Sequence, residues 1–465
     1  MRVDKTIETE SMNPTERRAT STLASIYALR MLGLFMIMPV FALYAQTLEG
    51  TTPQLIGLAI GAYGLTQAIF QIPFGMVSDR IGRKPVIVFG LIIFALGSVM
   101  AAMADSIWGV IWGRALQGAG AIPAVVMALT ADLTREEHRT TAMATIGLSI
   151  GLSFAFSLVA GPLVASWIGV DGIFWLTGLL ALLAIVMLYV AVPNPARSTF
   201  HRDAQANPSQ FGRVLVDPEL LRLDAGIFIL HMVLTATFVV MPLVLRDNAG
   251  LDAALHWWVY LPVLLLGLGL MVPFVVIAEK RRKMKPVFTG SVVVMAIAEF
   301  ILAADHHAMA SIVLALGLFF IAFNVLEATL PSLIAKTSPP DIKGTAMGMY
   351  STSQFAGAFA GGVVGGTLHA NFGMQAVFLF CGVALLVWVF IAATMRNPPY
   401  LSTMMIKVGP IDAKHAKVMM LTMLAVPGVA EAVVVPEDGI AYLKVDSKVV
   451  DKTALAKYKY QDAVS

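Results

Sequence analysis

Twelve stretches of about 20 mainly apolar residues divide the chain up to residue 395, each bounded by charges or by Gly, Pro, Asn and Asp. They lie near residues 21–46, 54–77, 86–104, 106–131, 142–166, 173–192, 223–245, 255–278, 287–304, 309–335, 344–369 and 374–395. An α-helix of that length spans the hydrocarbon core of a bilayer. The runs show no sustained alternation of polar and apolar residues, which argues against an outer-membrane barrel. The expected fold is an all-α polytopic membrane protein with twelve transmembrane helices, followed by a small α+β domain.

Composition agrees with this. Of 465 residues, 58% are hydrophobic and 13% charged, whereas soluble proteins carry about 25% charged residues. A soluble enzyme of this size is excluded. The net charge of +3 is too small for an electrostatic nucleic-acid binder. A single cysteine, Cys381, excludes an intrachain disulfide and any multi-thiolate metal site. No cofactor and no metal are expected. The segment MRVDKTIETESMNPTERR is charged for too long, and too mixed in sign, to be a signal peptide.

Orientation follows from the basic residues. With a cytoplasmic N-terminus, 20 Lys and Arg fall in the inner segments before the twelfth stretch, and only Arg246 lies in an outer loop. Six of the seven tryptophans (108, 112, 167, 175, 257 and 258) gather at the opposite ends of the stretches. Both termini are therefore expected in the cytoplasm of a bacterium, with the protein in its inner membrane among lipids.

The chain also repeats itself. ADLTREEHRTTAM at 131–143 aligns without a gap on AKTSPPDIKGTAM at 335–347, an offset of 204 that also carries Gly161 onto Gly365. SDRIGRKPV at 78–86 is echoed by AEKRRKMKPV at 278–287 with one insertion. Two parallel six-helix bundles with a site between them is a transporter plan. The expected divisions are 1–192 for the first bundle, 193–222 for a polar linker, 223–395 for the second bundle and 400–465 for the tail.

Between the second and third stretches stands Gly75-Met-Val-Ser-Asp79-Arg80-Ile-Gly82-Arg83-Lys84. Glycines let helix ends approach, and an acid suits a helix N-terminus. A plain positive-inside loop explains the bases, but not Asp79 flanked by two glycines. The pattern resembles the GxxxDRxGRK signature of the major facilitator superfamily, and the resemblance covers residues 20–395. Arg114-Ala-Leu-Gln117-Gly118-Ala-Gly120 resembles the RxxQG motif of drug:proton antiporters. Gly161-Pro162 resembles their GP motif, although Ser157, Ala165 and Ser166 stand where glycines are usual. The sequence around Arg30 and Pro39, with the small tail, is most similar to the YajR-type branch.

That resemblance implies several roles. Asp79 would cap the eleventh helix near Gly344 in an outward-open state. Arg83 would pair with Asp132, locking a cytoplasmic gate that protonation helps release. The second-half echo keeps an acid, Glu279, but loses the glycines. The first, fourth, seventh and tenth helices would line the cavity.

Charges inside the bilayer cost at least about 2.5–3.5 kcal/mol each and are functional candidates by default. Arg30 and Arg114 are two such cations, and each needs an acid, an anionic substrate or backbone carbonyls as company. Glu327 is the deepest acid, with Asn324 one turn away on the same face. His231 aligns with Arg30 in the repeat and is a further titratable candidate, set against a histidine satisfied near the interface. Gln117 completes this proton-coupling or substrate group. Glu299 reads as a structural helix–helix contact. His306-His307, without a third ligand, is a weak metal site.

After residue 400 the order strand (404–408), helix (412–425), strand (429–435), strand (440–445), helix (450–458) resembles a ferredoxin-like domain. YKYQDAVS is all that remains for a fourth strand. The expected function is monomeric proton-coupled efflux of small amphipathic compounds by alternating access, without covalent chemistry. Two alternatives stay open: transport of an anionic metabolite, and a non-transporting sensor with the tail as output.

Overall fold

The computed structural model describes residues 11–195, 205–398, 400–437, 439–446 and 448–460. Helices dominate: α1 (Pro14–Phe35), α2 (Phe41–Ala45), α3 (Pro53–Ile81), α4 (Arg83–Ala102), α5 (Ile107–Ala119), α6 (Pro123–Asp132) and α7 (Glu136–Ala191). After the linker come α8 (Phe211–Leu215), α9 (Pro218–Leu243), α10 (Trp257–Lys280), α11 (Met284–Ala304), α12 (Met309–Thr337), α13 (Lys343–Phe372) and α14 (Met374–Ala393). Nine described helical stretches are long and apolar enough to cross a membrane. One of them runs through α7, which is two rods joined at Gly169, whose φ of 72° breaks the helix.

Helix ends depart from the apolar boundaries where capping overrides hydropathy. α1 begins at Pro14, ahead of residue 21, because Asn13 and Glu16 form a reciprocal capping box that satisfies orphan N–H groups. Asp217 caps α9 by accepting from the N–H groups of Glu219 and Leu220, so the helix starts before residue 223. α8 lies inside 193–222, which is polar in sequence yet partly helical here. The stretch 106–131 is broken between α5 and α6, where Gly120 precedes Pro123.

Five of the six clustered tryptophans (108, 112, 167, 175, 258) are exposed on the end opposite the basic loops. At that end the halves interlock through α3 and α13. A Cβ on Gly57 would fall 2.0 Å from the Gly362 carbonyl oxygen, and one on Gly366 would fall 2.6 Å from that of Pro53. Deeper between the halves, the Phe154 ring of α7 lies 5.3 Å from that of Phe323 on α12. Gly57→Ala is therefore expected to force α3 and α13 apart, since overpacking costs about 1–3 kcal/mol, a shift of about 5- to 150-fold in the balance of conformers. Maleimide labelling of a thiol introduced by Ala358→Cys should rise accordingly, and an unchanged rate would contradict the interlock. Background is low because Cys381 is buried.

The tail forms a three-stranded antiparallel sheet, β1 (Ser402–Lys407), β2 (Val429–Val435) and β3 (Ile440–Val445), in the order β1-β3-β2. α15 (Ala413–Leu424) joins β1 to β2, and α16 (Lys452–Ala456) follows β3. One face packs Ala441, Leu443 and Val445 against Met423 and Leu455 of these helices. The other carries Tyr442 and Lys444, both buried. Lys444 Nζ donates to the carbonyls of Ala335, at 3.1 Å, and Lys336 at the end of α12. That places a cation at a helix C-terminus. Burial pushes the Lys444 ammonium down to about 8, although Glu431 opposes the shift. Asp446 pairs with Arg282 at 2.9 Å, Met284 N donates to Tyr400 Oη at 2.9 Å, and β1 packs against α7. The sheet thus touches helices of both halves. Tyr460 N donates to Lys407 O at 2.7 Å, on the free edge of β1, and the residues after it lie outside the described ones.

Candidate functional site

Three polar groups interrupt the apolar packing. The first is built where α3 turns into α4. Gly82 has φ 98°, a conformation that favours glycine, and serves as the C-cap of α3 and the N-cap of α4. The turn brings Arg83 back under α3, where it is 2% exposed. Its Nη1 donates to Ser78 Oγ at 2.6 Å and to Asp79, and its Nε donates to Asp132 at the end of α6 at 3.1 Å. The Gln205 amide of the linker, with its oxygen toward Arg83 Nη2 at 2.8 Å, donates to Asp79 at 3.1 Å. Asn207 N then donates to Thr345 Oγ1 of α13 at 3.0 Å. The linker, rather than Asp79, therefore meets the start of α13 in this conformation. Arg80 points to solvent, Lys84 Nζ donates to Val192 O at 2.6 Å, and Gly75 is in ordinary contact with Ala124.

The offset of 204 puts Lys336 at the place of Asp132, and in the echo Met284 stands where Arg83 does. The second half accordingly joins Glu279 directly to Lys336, with Ser332 Oγ donating to the same carboxylate at 2.7 Å. An ion pair is kept at this place, with the acid retained and the sign at the position of Asp132 reversed. An acid that loses its arginine partner is matched by a base across the groove.

The second group lies inside the first half. Arg30 and Arg114 are each 3% exposed, with their guanidinium carbons 5.5 and 5.2 Å from the Tyr63 ring centroid. Arg30 Nη2 donates to Gln67 Oε1 at 2.5 Å and to Gly120 O at 3.1 Å. Arg114 Nη1 donates to Gln117 Oε1 at 3.0 Å, and Gln117 Nε2 to Ser98 Oγ at 2.8 Å. Amide oxygens, a carbonyl and aromatic faces thus meet these cations. Among the described residues neither forms an ion pair, and Arg30 Nε and Nη1 have no hydrogen-bond partner.

The third group lies in the second half. His231 of α9 places Nδ1 3.3 Å from Ile227 O and Nε2 2.8 Å from Gln354 Nε2 of α13. The amide N–H donates to Nε2, so the imidazole proton sits on Nδ1. Glu327 Oε2 of α12 is 3.9 Å from His231 Nε2, beyond hydrogen-bond range, and is shielded without a partner. The rest of the Glu327 side chain is 31% exposed, so it reaches the cleft between helices. Asn324, on the same face, turns its unpartnered Nδ2 toward Gly267 of α10. Glu327 reaches neither Arg30 nor Arg114, so the expected central group divides between the halves.

Sequence reasoning passed over Asp224, Tyr350 and Gln354. Asp224 is 6% exposed with Oδ1 unpartnered, and Tyr350 lies within electrostatic reach of both Asp224 and Glu327. Asp224 sits at the edge of its apolar run, where it reads as a boundary charge; only the longer α9 puts it inside. Glu299 is fully buried and accepts from Thr237 Oγ1 at 2.8 Å.

A profile of the Major Facilitator Superfamily matches residues 23–362 and 285–404, and a YajR YAM domain profile matches 409–458. The inner membrane transport protein YajR of Escherichia coli (strain K12) is 48% identical over 441 residues, 95% of this chain and 97% of that protein. The multidrug resistance protein MdtH of Aeromonas hydrophila is 26% identical, covering 73% of this chain and 84% of that one. Among solved structures, a bacterial homologue of the human lysosomal transporter Spinster, inward-facing and occupied, superposes with a TM-score of 0.66. It is 14% identical over 82% of this chain and 97% of that one, a likeness of fold alone.

Proposed function

Because the chain belongs to the major facilitator superfamily and carries the YAM domain of its YajR-type members, we propose that it exports small amphipathic compounds in exchange for protons. It is a multi-pass transport protein of the inner membrane and not an enzyme. In this reading twelve spans form two six-helix bundles, 1–192 and 223–395, joined by 193–222, with both termini cytoplasmic. The tail from 400 is a ferredoxin-like module, and a monomer rocks around a midplane site. The Gly57–Gly362 contact at the tryptophan end supports a conformation closed to the outside, and the likeness to MdtH supports an amphipathic cargo.

The observation that carries the proposal is the unpaired Glu327 Oε2 beside His231. A carboxyl group that gains or loses a cationic neighbour as helices move changes its affinity for a proton. Motion of α12 against α9 that turns Glu327 toward an imidazolium favours release. Protonation of His231 at Nε2 requires the Gln354 amide to rotate, which ties proton transfer to α13. The test uses liposomes containing the full-length protein and a pH-sensitive dye, with a panel of amphipathic compounds first chosen by thermal stabilisation. Addition of a stabilising compound is expected to drive protons in the opposite direction. Compound movement without proton movement would overturn the coupling.

A second reading rests on Arg30 and Arg114, two buried cations with no carboxylate among the described residues. An organic anion entering between the halves would supply the missing charge, and competition by anions rather than cations would favour it.

A further inference from the structure

A cleft of about 480 Å³ opens at the basic end between Thr15 and Arg18 of α1, Lys84 of α4, and Tyr189 at the end of α7. Two cations converge there from segments far apart in sequence. Arg18 Nη2 donates to Val190 O at 2.9 Å, and Lys84 Nζ to Val192 O at 2.6 Å. The two acceptors are two residues apart, so one helix end, which carries partial negative charge, holds both heads in place. Each uses a single donor there, whereas a guanidinium has five and an ammonium three. Neither cation forms an ion pair among the described residues.

Apolar surface lies beside the cleft. Leu179, Leu183, Val186 and Val190 make one exposed apolar stripe along α7, and Phe89 and Leu96 make another on the neighbouring α4. Side chains at these spacings share a helix face. Val190 itself lines the cleft, so the α7 stripe runs out of it, and an occupant that follows this stripe is anionic at one end and apolar along its length.

We propose that this cleft binds the headgroup of an anionic phospholipid, with the phosphate between Arg18 and Lys84 and the acyl chains along α4 and α7. Two cations with no acid among the described lining residues favour a net-negative headgroup over a zwitterionic one, because a choline or ethanolamine ammonium would find no carboxylate to face there. Helix capping explains the two carbonyl contacts and lipid-facing spans explain the apolar stripes, but neither explains why two cations from distant segments line one cleft.

The test is native mass spectrometry of the full-length protein in detergent, with phosphatidylglycerol or phosphatidylcholine added in separate arms. The wild type should retain phosphatidylglycerol in preference, and the Arg18→Gln/Lys84→Gln variant should retain about tenfold less. Preference kept by that variant, or absent from the wild type, would overturn the site. A third arm adds inorganic phosphate, and equal thermal stabilisation by phosphate would overturn a lipid as the occupant. If the variant does not fold, hydrogen exchange on the wild type decides instead. Phosphatidylglycerol should slow exchange at residues 186–194, and slowing confined to other segments would refute the assignment.

Discussion

Glu327→Gln is expected to abolish the pH-dependent component of transport while leaving the protein folded. A glutamine keeps the volume and a polar face but carries no exchangeable charge at Oε2, which accepts no hydrogen bond in the first place. One proton coupled per cycle across one pH unit is worth about 1.4 kcal/mol, so its loss lowers the gradient-driven accumulation ratio about tenfold. Substrate exchange without a gradient should persist, because that step needs the cleft and not the proton. The assay is uptake into liposomes at equal and unequal pH. An unchanged response to the gradient would remove Glu327 from the mechanism and leave Asp224 as the next carboxyl to examine.

The second large effect concerns the turn between α3 and α4. The Asp132 side chain is wholly buried against Arg83, whereas that of Asp79 is 32% exposed. Removing one member of a buried ion pair leaves an uncompensated charge and costs about 3–5 kcal/mol. Exposed pairs are worth about 0–1 kcal/mol. Asp132→Asn should therefore lower the melting temperature and the transport rate far more than Asp79→Asn does, with substrate preference unchanged in both. Because Arg83 keeps Ser78 and Asp79 as partners, the loss should fall at the lower end of the range. Equal effects of the two substitutions would mean that Arg83 is not the hub of the turn.

Both predictions begin from residues visible in the sequence, yet neither could be ranked there. The spacing of Asp79, Gly82 and Arg83 marks a tight charged turn, and the offset of 204 residues places Lys336 opposite Asp132. Whether those charges are buried depends on where α6 ends and on the linker amide of Gln205, which no local pattern announces. Arg30, Arg114 and Glu327 stand out as charges inside apolar runs. Asp224 does not, because its run begins beside it and only the Asp217 cap extends α9 outward. Gln354 and Tyr350 carry no charge and look like ordinary polar residues of a small-residue helix.

Length and hydropathy alone determined the membrane class and the helical rods, since a bilayer admits few ways of satisfying a backbone, and the aligned polar loops determined the repeat. The sequence also determined the sheet of the tail, where strand alternation and the Pro436–Gly439 turn are local signals. Tertiary structure decided which charges meet. It set Arg30 and Arg114 around Tyr63 with no acid among the described residues, turned Glu327 toward His231, and seated Lys444 on the end of α12. It also brought Arg18 and Lys84 to one helix end. The physical reason is range. Helix formation is read over a few residues, whereas a charge's partner is chosen by how separate helices pack, and that choice is written in small residues such as Gly57 and Gly362 that carry no charge at all.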